Sequence, residues 1–451
     1  MRDFMYECFG LRKVFFAICV MSAGLLLAGE LGAAEYYVDA ERGSDANAGQ
    51  SPETAWQSVT RVNQEELKPG DRVLFRSGQV WRGRLVCRNG QPGQPIVYTS
   101  FGEGAKPLLL GSFSLLDRAL WTRSAENDAI WVTPENGSQP DLFCDVGNII
   151  LRNQGDPSRH AAFKKWSVND LTKDEDFYYN KETRQIYFRS EENPADRYEE
   201  MEAALRRNII VCQESVVVDG LALSCGSAHG VSMPEAKDCM IRNCDISWIG
   251  GGSLYSDERT VRFGNGVEMW NSAANCVVEG CVFEEVYDVA MSNQGPEVCV
   301  VDNVIWRNNT THRCEQGYEI WFTNSETEIR GILFEKNECY DCGFGWGHSQ
   351  RPNKLGTPLL SYSMKAKVLN FKIHNNVFAN SKDTLIWFLN NRVDEFDIDH
   401  NVWRHEGKDG KSGLETPLFF WDTEGANPVN VTFEEYRERT GNDKNSQFNP
   451  Q

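Results

Sequence analysis

One short pattern recurs seven times in the second half of the chain and restricts the fold more than any other feature. It reads apolar, x, x, turn residue, apolar, aromatic or apolar. It appears as "VVDGLAL" from Val217, "MIRNCDI" from Met240, "VVEGCVF" from Val277 and "VVDNVIW" from Val300. It continues as "LFEKNEC" from Leu333, "KIHNNVF" from Lys372 and "DIDHNVW" from Asp397. Alignment stacks Val218, Ile241, Val278, Val301, Phe334, Ile373 and Ile398 in one column. Three residues on, a second column holds Leu221, Cys244, Cys281, Val304, Asn337, Asn376 and Asn401. Successive units lie 23, 37, 23, 33, 39 and 25 residues apart. A helical solenoid keeps a steadier period and shows 3.6-residue periodicity, whereas these units are short, β-branched and alternate in period two. Short strands, coils of two dozen residues or more and uneven loop insertions predict an all-β fold, a parallel β-helix. Its coils stack because none can bury its apolar row alone. The three asparagines at one corner fit, since stacked side-chain amides bond from coil to coil.

A second class of strand precedes each unit: "HGVSM", "GVEMW", "DVAMSN", "YEIWFT", "PLLSYS", "TLIWFL" and "PLFFWD". Glu268 in "GNGVEMWN" and Glu319 in "GYEIWFTN" match over a separation of 51 residues because each occupies the same strand of its own coil. Alternation turns Val267 and Met269 inward, so Glu268 and Trp270 face out, and the same parity exposes Asp288, Ala290 and Ser292, then Glu319 and Trp321. Three carboxylates and two tryptophans are thereby expected on one exterior face across three coils. Adjacent strands lie about 4.8 Å apart, which would set the glutamates about 9–10 Å from each other and Asp288 about 5–6 Å from either. Retaining glycosidases hold their carboxyl pair roughly 5–5.5 Å apart and inverting ones roughly 6.5–9.5 Å. Either geometry is open. Tryptophans beside carboxylates offer flat apolar surfaces to sugar rings. Solvated surface acids are the plain alternative.

The loop "GWGHSQRP" from Gly345 follows the Glu319 coil and brings Trp346, His348, Gln350 and Arg351 together. A glycine-rich, proline-ended loop on a rigid scaffold suits substrate binding. His348 is a candidate proton carrier and Arg351 a candidate clamp for a carboxylate or sulfate. Asn293 and Gln294 are candidates for binding hydroxyls, whereas His229, Glu235 and Asp257 are read as surface positions or positions of unknown role.

Arg2, Arg12 and Lys13 precede the apolar run "VFFAICVMSAGLLLAG" and then "LGAAE", the layout of a secretory signal peptide with cleavage near Ala34. A membrane anchor is the alternative, but about 16 apolar residues are short for a span. Residues 1–34 are therefore expected to be removed and the mature protein to be secreted or periplasmic. Its net charge of −19 argues against nucleic acid and anionic membranes. One basic groove can still hide in an acidic total. Of 14 cysteines, Cys239, Cys276 and Cys299 fall two residues before the first column and so point into the bore. There, stacked free thiols are favoured over a disulfide between coils. "CYDC" from Cys339 lacks a second ligand pair, so no zinc site is expected.

Residues 35–111 read as a first strand, a short Ser-Pro-capped helix closing the open end of the core, and the first coils. The pattern breaks over 112–203, where "DFYYNKETRQIYFRSEENP" reads as a hairpin and an inserted β-rich subdomain is expected. Residues 204–451 form the main β-helix.

With "YYVDAERGSDANAGQSPETAWQS" from Tyr36, "LKPGDRVLFRSGQVWRG" from Leu67, "YDVAMSNQG" from Tyr287 and "GWGHSQRP", the chain resembles the secreted right-handed parallel β-helix, or pectate-lyase-like, superfamily. It is most similar to that superfamily's bacterial polysaccharide-degrading members. The resemblance spans the mature chain. It implies a carbohydrate-active protein, and leaves the reaction to be read from the site. Lyases of that superfamily place arginine, lysine or calcium where this chain places carboxylates, so glycoside hydrolase ranks first and polysaccharide lyase second. A non-catalytic glycan-binding protein ranks third. A polysaccharide or oligosaccharide substrate, a monomer and no obligatory cofactor are expected. A calcium-loop look at "DANAGQS" from Asp45 lies far from the face.

Overall fold

The computed structural model describes residues 33–135, 145–254, 261–362, 364–389, 393–422 and 428–449, all within one compact unit from Ala33 to Gln451. Residues 1–32, most of the expected signal peptide, and Asp257 lie outside the described residues.

Each coil consists of three short strands, and strands of successive coils pair in parallel on three faces. Face one is built from β1 (Val231–Lys237), β2 (Val267–Glu279), β3 (Val289–Gly295), β4 (Gln316–Phe322), β5 (Thr357–Tyr362), β6 (Ile386–Leu389) and β7 (Phe419–Trp421). These pair in that order. Face two runs from Glu35–Val38 to Asp397–Asp399, and face three from Val80–Arg82 to Gln447–Phe448. Seven coils therefore stack between residues 205 and 405. Ile241, Val278 and Ile373 are fully buried in one core running the length of the stack, as the alternation requires.

The pairing moves one unit of the repeat. Val278 lies opposite Trp306, and Trp306 opposite Phe334. The fourth unit is therefore "IWRNNTT" from Ile305, five residues beyond the expected "VVDNVIW". The reason is that each coil has two similar corners. At the turn from face two to face three, Gly220, Asn243, Gly280, Asn308, Lys336, Asn375 and His400 all have φ between 52° and 72°. At the turn into face two, Asp238, Asn275 and Asn303 have φ between 52° and 54°. Glycine and asparagine tolerate that left-handed conformation best, so the two corners look alike in sequence. The asparagine ladder consequently has four rungs: Asn309, Asn337, Asn376 and Asn401, each accepting on Oδ1 from the backbone N–H of the coil before it.

The eleven cysteines among the described residues are all buried free thiols, with Cys239, Cys276 and Cys299 in the bore. At the N-terminal end α1 (Val59–Gln64) is capped by Ser58 and lays Val59 and Val62 against the core beside Trp56. Asp45 accepts from the Gln57 and Ser58 backbone N–H groups, an internal use of the "DANAGQS" carboxylate. Among the described residues no cluster of three or more histidine, cysteine or acidic side chains is arranged to hold a metal. A further helix, Phe433–Thr440, packs Phe433 and Tyr436 on Phe419 of β7.

Between Ser112 and Leu205 the coil pattern gives way to antiparallel sheets with a hydrophobic core of their own, Phe177 and Phe188 facing each other across a hairpin. Buried polar groups fasten this part to the coils. Lys164 bonds both oxygens of Asp145 at 2.7 Å, Asp145 accepts from the Ser253 N–H, and Asn148 donates to the Gly250 carbonyl.

Candidate functional site

Period-two alternation on a parallel stack lines up outward side chains in rows that cross the strands. One row on face one reads Ser232, Glu268, Ser292, Glu319, Leu360 and Trp387; the neighbouring row reads Pro234, Trp270, Gln294 and Trp321. Together they floor a groove of about 1250 Å³, whose lining also includes His229, Asp288, Arg351, Tyr362 and Leu389. Arg84, Arg206 and Arg207 line it as well, cations gathered on an otherwise acidic protein.

Glu268 and Glu319 flank Ser292 in the same row, two strand spacings or about 9.6 Å apart along the face. Burial and the nearby charge of Asp288 push Glu268 up to about 8. Burial, Asp288 and Glu268 push Glu319 up to about 8 against the opposing pull of Arg351 and of the Gln294 amide, which hydrogen-bonds it. Because the groups interact, their protons belong to the cluster as a whole. Asp288 is ion-paired with the Arg351 guanidinium at 2.6 Å. Arg351 also donates to the Tyr287 carbonyl and lies over its ring. The Trp270 and Trp321 rings sit 5.9 Å apart with a 34° tilt, and Trp387 stacks on Phe420 at 3.9 Å.

The structure thus brings Glu268, Glu319, Asp288, Trp270, Trp321, Gln294 and Arg351 into one groove. Asp288 does not stand between the glutamates, as parity alone suggested. It lies just before β3, Ser292 takes the middle position, and Ala290 is part of the core. Asn293 points inward, where its amide oxygen accepts from Trp306 and Tyr318.

Three expected loop residues lie elsewhere. Residues Trp346–Gln350 form the short helix α2, which packs down rather than standing out. Trp346 is buried against Tyr287 and donates to the Glu285 carbonyl. His348 is buried with Nδ1 at 3.1 Å from Glu315, whose carboxylate also accepts from the Leu355 N–H. Gln350 donates to the Ala162 carbonyl of the insertion. Their partners come from distant parts of the chain, which a local motif does not reveal. The placement removes His348 as a proton carrier in the groove and Trp346 and Gln350 as groove-lining contacts.

His229, read from the sequence as a surface position or one of unknown role, is buried beside Glu268, with Nε2 3.0 Å from its carboxylate. Burial pushes the imidazole down to about 3, so it is neutral. It precedes β1, outside the strand alternation that exposed the other groove residues. Trp387 and Tyr362 were legible only as members of their strands.

Residues 209–412 match the family described as right handed beta helix region. A lacto-N-biosidase from Bifidobacterium longum subsp. longum is 35% identical over 81 residues, 16% of this chain and 5% of that protein. Among solved structures, a GH136 lacto-N-biosidase from Eubacterium ramulus is 13% identical with a TM-score of 0.36, over 82% of this chain and 64% of that one. A family 28 exopolygalacturonase from Yersinia enterocolitica is 13% identical with a TM-score of 0.40, over 92% of this chain and 78% of that one. The chain therefore spans 5% of the length of the sequence relative and under two thirds of the first structural neighbour. With seven parallel coils on three faces and a family match over residues 209–412, the chain folds as a right-handed parallel β-helix.

Proposed function

We propose that the chain is a secreted glycoside hydrolase that cleaves a polysaccharide or oligosaccharide in the face-one groove, with inversion at the anomeric carbon. The observation that carries this reading is the pair Glu268 and Glu319. Both carboxyls are pushed up to about 8, and they stand two strand spacings apart beside the Trp270–Trp321 platform. A raised pair can share out protonation, one carboxyl keeping a proton for the leaving oxygen while the other accepts one from water. Their strands lie two spacings, about 9.6 Å, apart, at the wide end of the range that in inverting enzymes leaves room for that water.

In this scheme Glu319 donates its proton to the glycosidic oxygen as the bond to the anomeric carbon breaks. Glu268 takes a proton from water on the opposite side as the new carbon–oxygen bond forms. Asp288, ion-paired with Arg351, supplies fixed negative charge beside the developing oxocarbenium ion. The base role passes from Asp288 to Glu268 because the guanidinium occupies the Asp288 carboxylate. The same pairing weighs against a lyase, since Arg351 is committed to Asp288 and Tyr287 instead of open to a substrate uronate. The name of the sequence relative, a lacto-N-biosidase, agrees with the reaction class.

The test is a glycan panel read for new reducing ends and for ultraviolet absorbance. On an active glycan, Glu319→Gln should lower turnover at least about a hundredfold, the usual worth of general acid–base catalysis, while binding survives on the tryptophans. Near-parental rates for both Glu319→Gln and Glu268→Gln, or products that absorb in the ultraviolet, would refute the reading.

A further inference from the structure

Two pairs of consecutive residues build the ion pair that stands beside the glutamates. Asp288 follows Tyr287, and Arg351 follows Gln350. One side chain, Arg262, touches the first member of both. Its Nη1 donates to the Gln350 backbone carbonyl at 3.5 Å and to the Gln350 side-chain oxygen at 3.3 Å. Its guanidinium lies over the Tyr287 ring, 4.6 Å from the centroid, and Arg351 covers the same ring at 5.2 Å. The second members then meet, Arg351 donating to Asp288 at 2.6 Å. The other arms of the fork are fixed as well. Nε donates to the Gly251 carbonyl at 2.7 Å, and Nη2 to the Gly147 carbonyl of the insertion at 2.8 Å. Gln350 is tied to the same insertion, donating to the Ala162 carbonyl and accepting from the Lys164 N–H. The chain keeps space for this fork: a Cβ at Gly251, where φ is 79–98° in neither neighbour's way but 88° here, would come within 2.8 Å of Trp346 and 3.0 Å of the guanidinium.

Arg262 is 5% exposed, and among the described residues no carboxylate pairs with it. A buried cation held by carbonyls and a ring face is a costly way to fasten two parts of a chain. Lys164, which bonds both Asp145 oxygens, already supplies that fastening. What Arg262 adds is direction, because a planar fork of donors in fixed geometry sets Tyr287 and Gln350 relative to each other.

We propose that Arg262 is a positioning residue through which the inserted subdomain fixes the Asp288–Arg351 pair against the two glutamates. This rests on the hydrolase reading and deepens it: the insertion completes the charge arrangement of the groove. Arg262 acts indirectly, through Arg351 and Asp288, both of which bear on Glu319.

The test uses the whole chain with Arg262→Met, which removes the fork, and Arg262→Lys, which keeps the charge without the planar geometry. On an active glycan, Arg262→Met should lower kcat at least about tenfold, on the scale of a small misplacement near the reacting atoms. KM should stay within about twofold, because Trp270 and Trp321 still hold the sugar. Arg262→Lys should lose about as much. In an Arg351→Ala background, adding Arg262→Met should change kcat by less than about twofold, since its effect travels through Arg351. Independently of activity, hydrogen–deuterium exchange in Arg262→Met should quicken over residues 285–290 and 346–351 and stay parental over 371–381. An additive loss in the Arg351→Ala background, parental kcat in Arg262→Lys, or unchanged exchange over 285–290 and 346–351 would each overturn the proposal. If instead Glu319→Gln keeps the parental rate, the hydrolase reading itself fails, and the exchange result still decides whether Arg262 holds the pair. Should Arg262→Met fail to fold, Arg262→Lys carries the same kinetic and exchange comparisons.

Discussion

Asn376 donates its side-chain amide to the Phe334 and His374 carbonyls and to Asn401, and accepts from the backbone and amide of Asn337. Asn376→Leu leaves those buried groups without partners, at a cost of about 1–3 kcal/mol read from chemical denaturation. A variant as stable as the parent would mean that the amides do not bear on each other. Glu268 bears on stability in the opposite way. Its folded pKa of about 8 lies above the 4.5 of an ordinary glutamate, so the folded state binds that proton more tightly. The stability this gives is complete below 4.5 and is lost as pH rises toward 8. Glu268→Gln should therefore melt progressively higher than the parent as pH climbs through that window, by thermal scans at matched salt. At this scale, the outward set Glu268, Trp270, Glu319 and Trp321 is legible from parity alone, because alternation is a local rule. His229, Trp346 and His348 are not, because their surroundings come from segments tens of residues away.

Individual strands carry the register, and there the two corners of each coil compete. Asn303, within the strand Val300–Arg307 that holds Trp306, and Asn308, just beyond its end, both adopt positive φ five residues apart. A repeat search sees the first corner, whereas the core is arranged around the second. Trp306 is fully buried, 5.8 Å from the Tyr318 ring, and donates to Asn293 inside the bore. Trp306→Ala should cost about 3–5 kcal/mol by denaturation, the usual range for emptying a large aromatic from a core. A loss under about 1 kcal/mol would contradict the shifted register, since an outward tryptophan leaves no cavity. The helix α2 teaches the same lesson about loops. Its glycines and proline suggested an exposed binding loop, but buried partners on the insertion and on Glu285 and Glu315 draw its side chains inward.

Across the whole molecule, the stack turns a local two-residue alternation into a long groove whose chemistry changes from coil to coil. Carboxylates occupy the β2 to β4 coils, and apolar and aromatic side chains, Leu360, Tyr362 and Trp387, follow on β5 and β6. This order was legible in the repeats, and the burial that raises the two glutamates was not, because it depends on loops folding over the face. The central claim is that two carboxyls carried on strands two spacings apart hydrolyse a glycosidic bond by direct attack of water. Proton NMR of the first product molecules formed from an active glycan, recorded before the anomers equilibrate, tests it most directly. The account predicts a saturated new reducing end in the anomeric configuration opposite to that of the bond cleaved. Retention of configuration, or an unsaturated sugar in place of a reducing end formed with water, would contradict it.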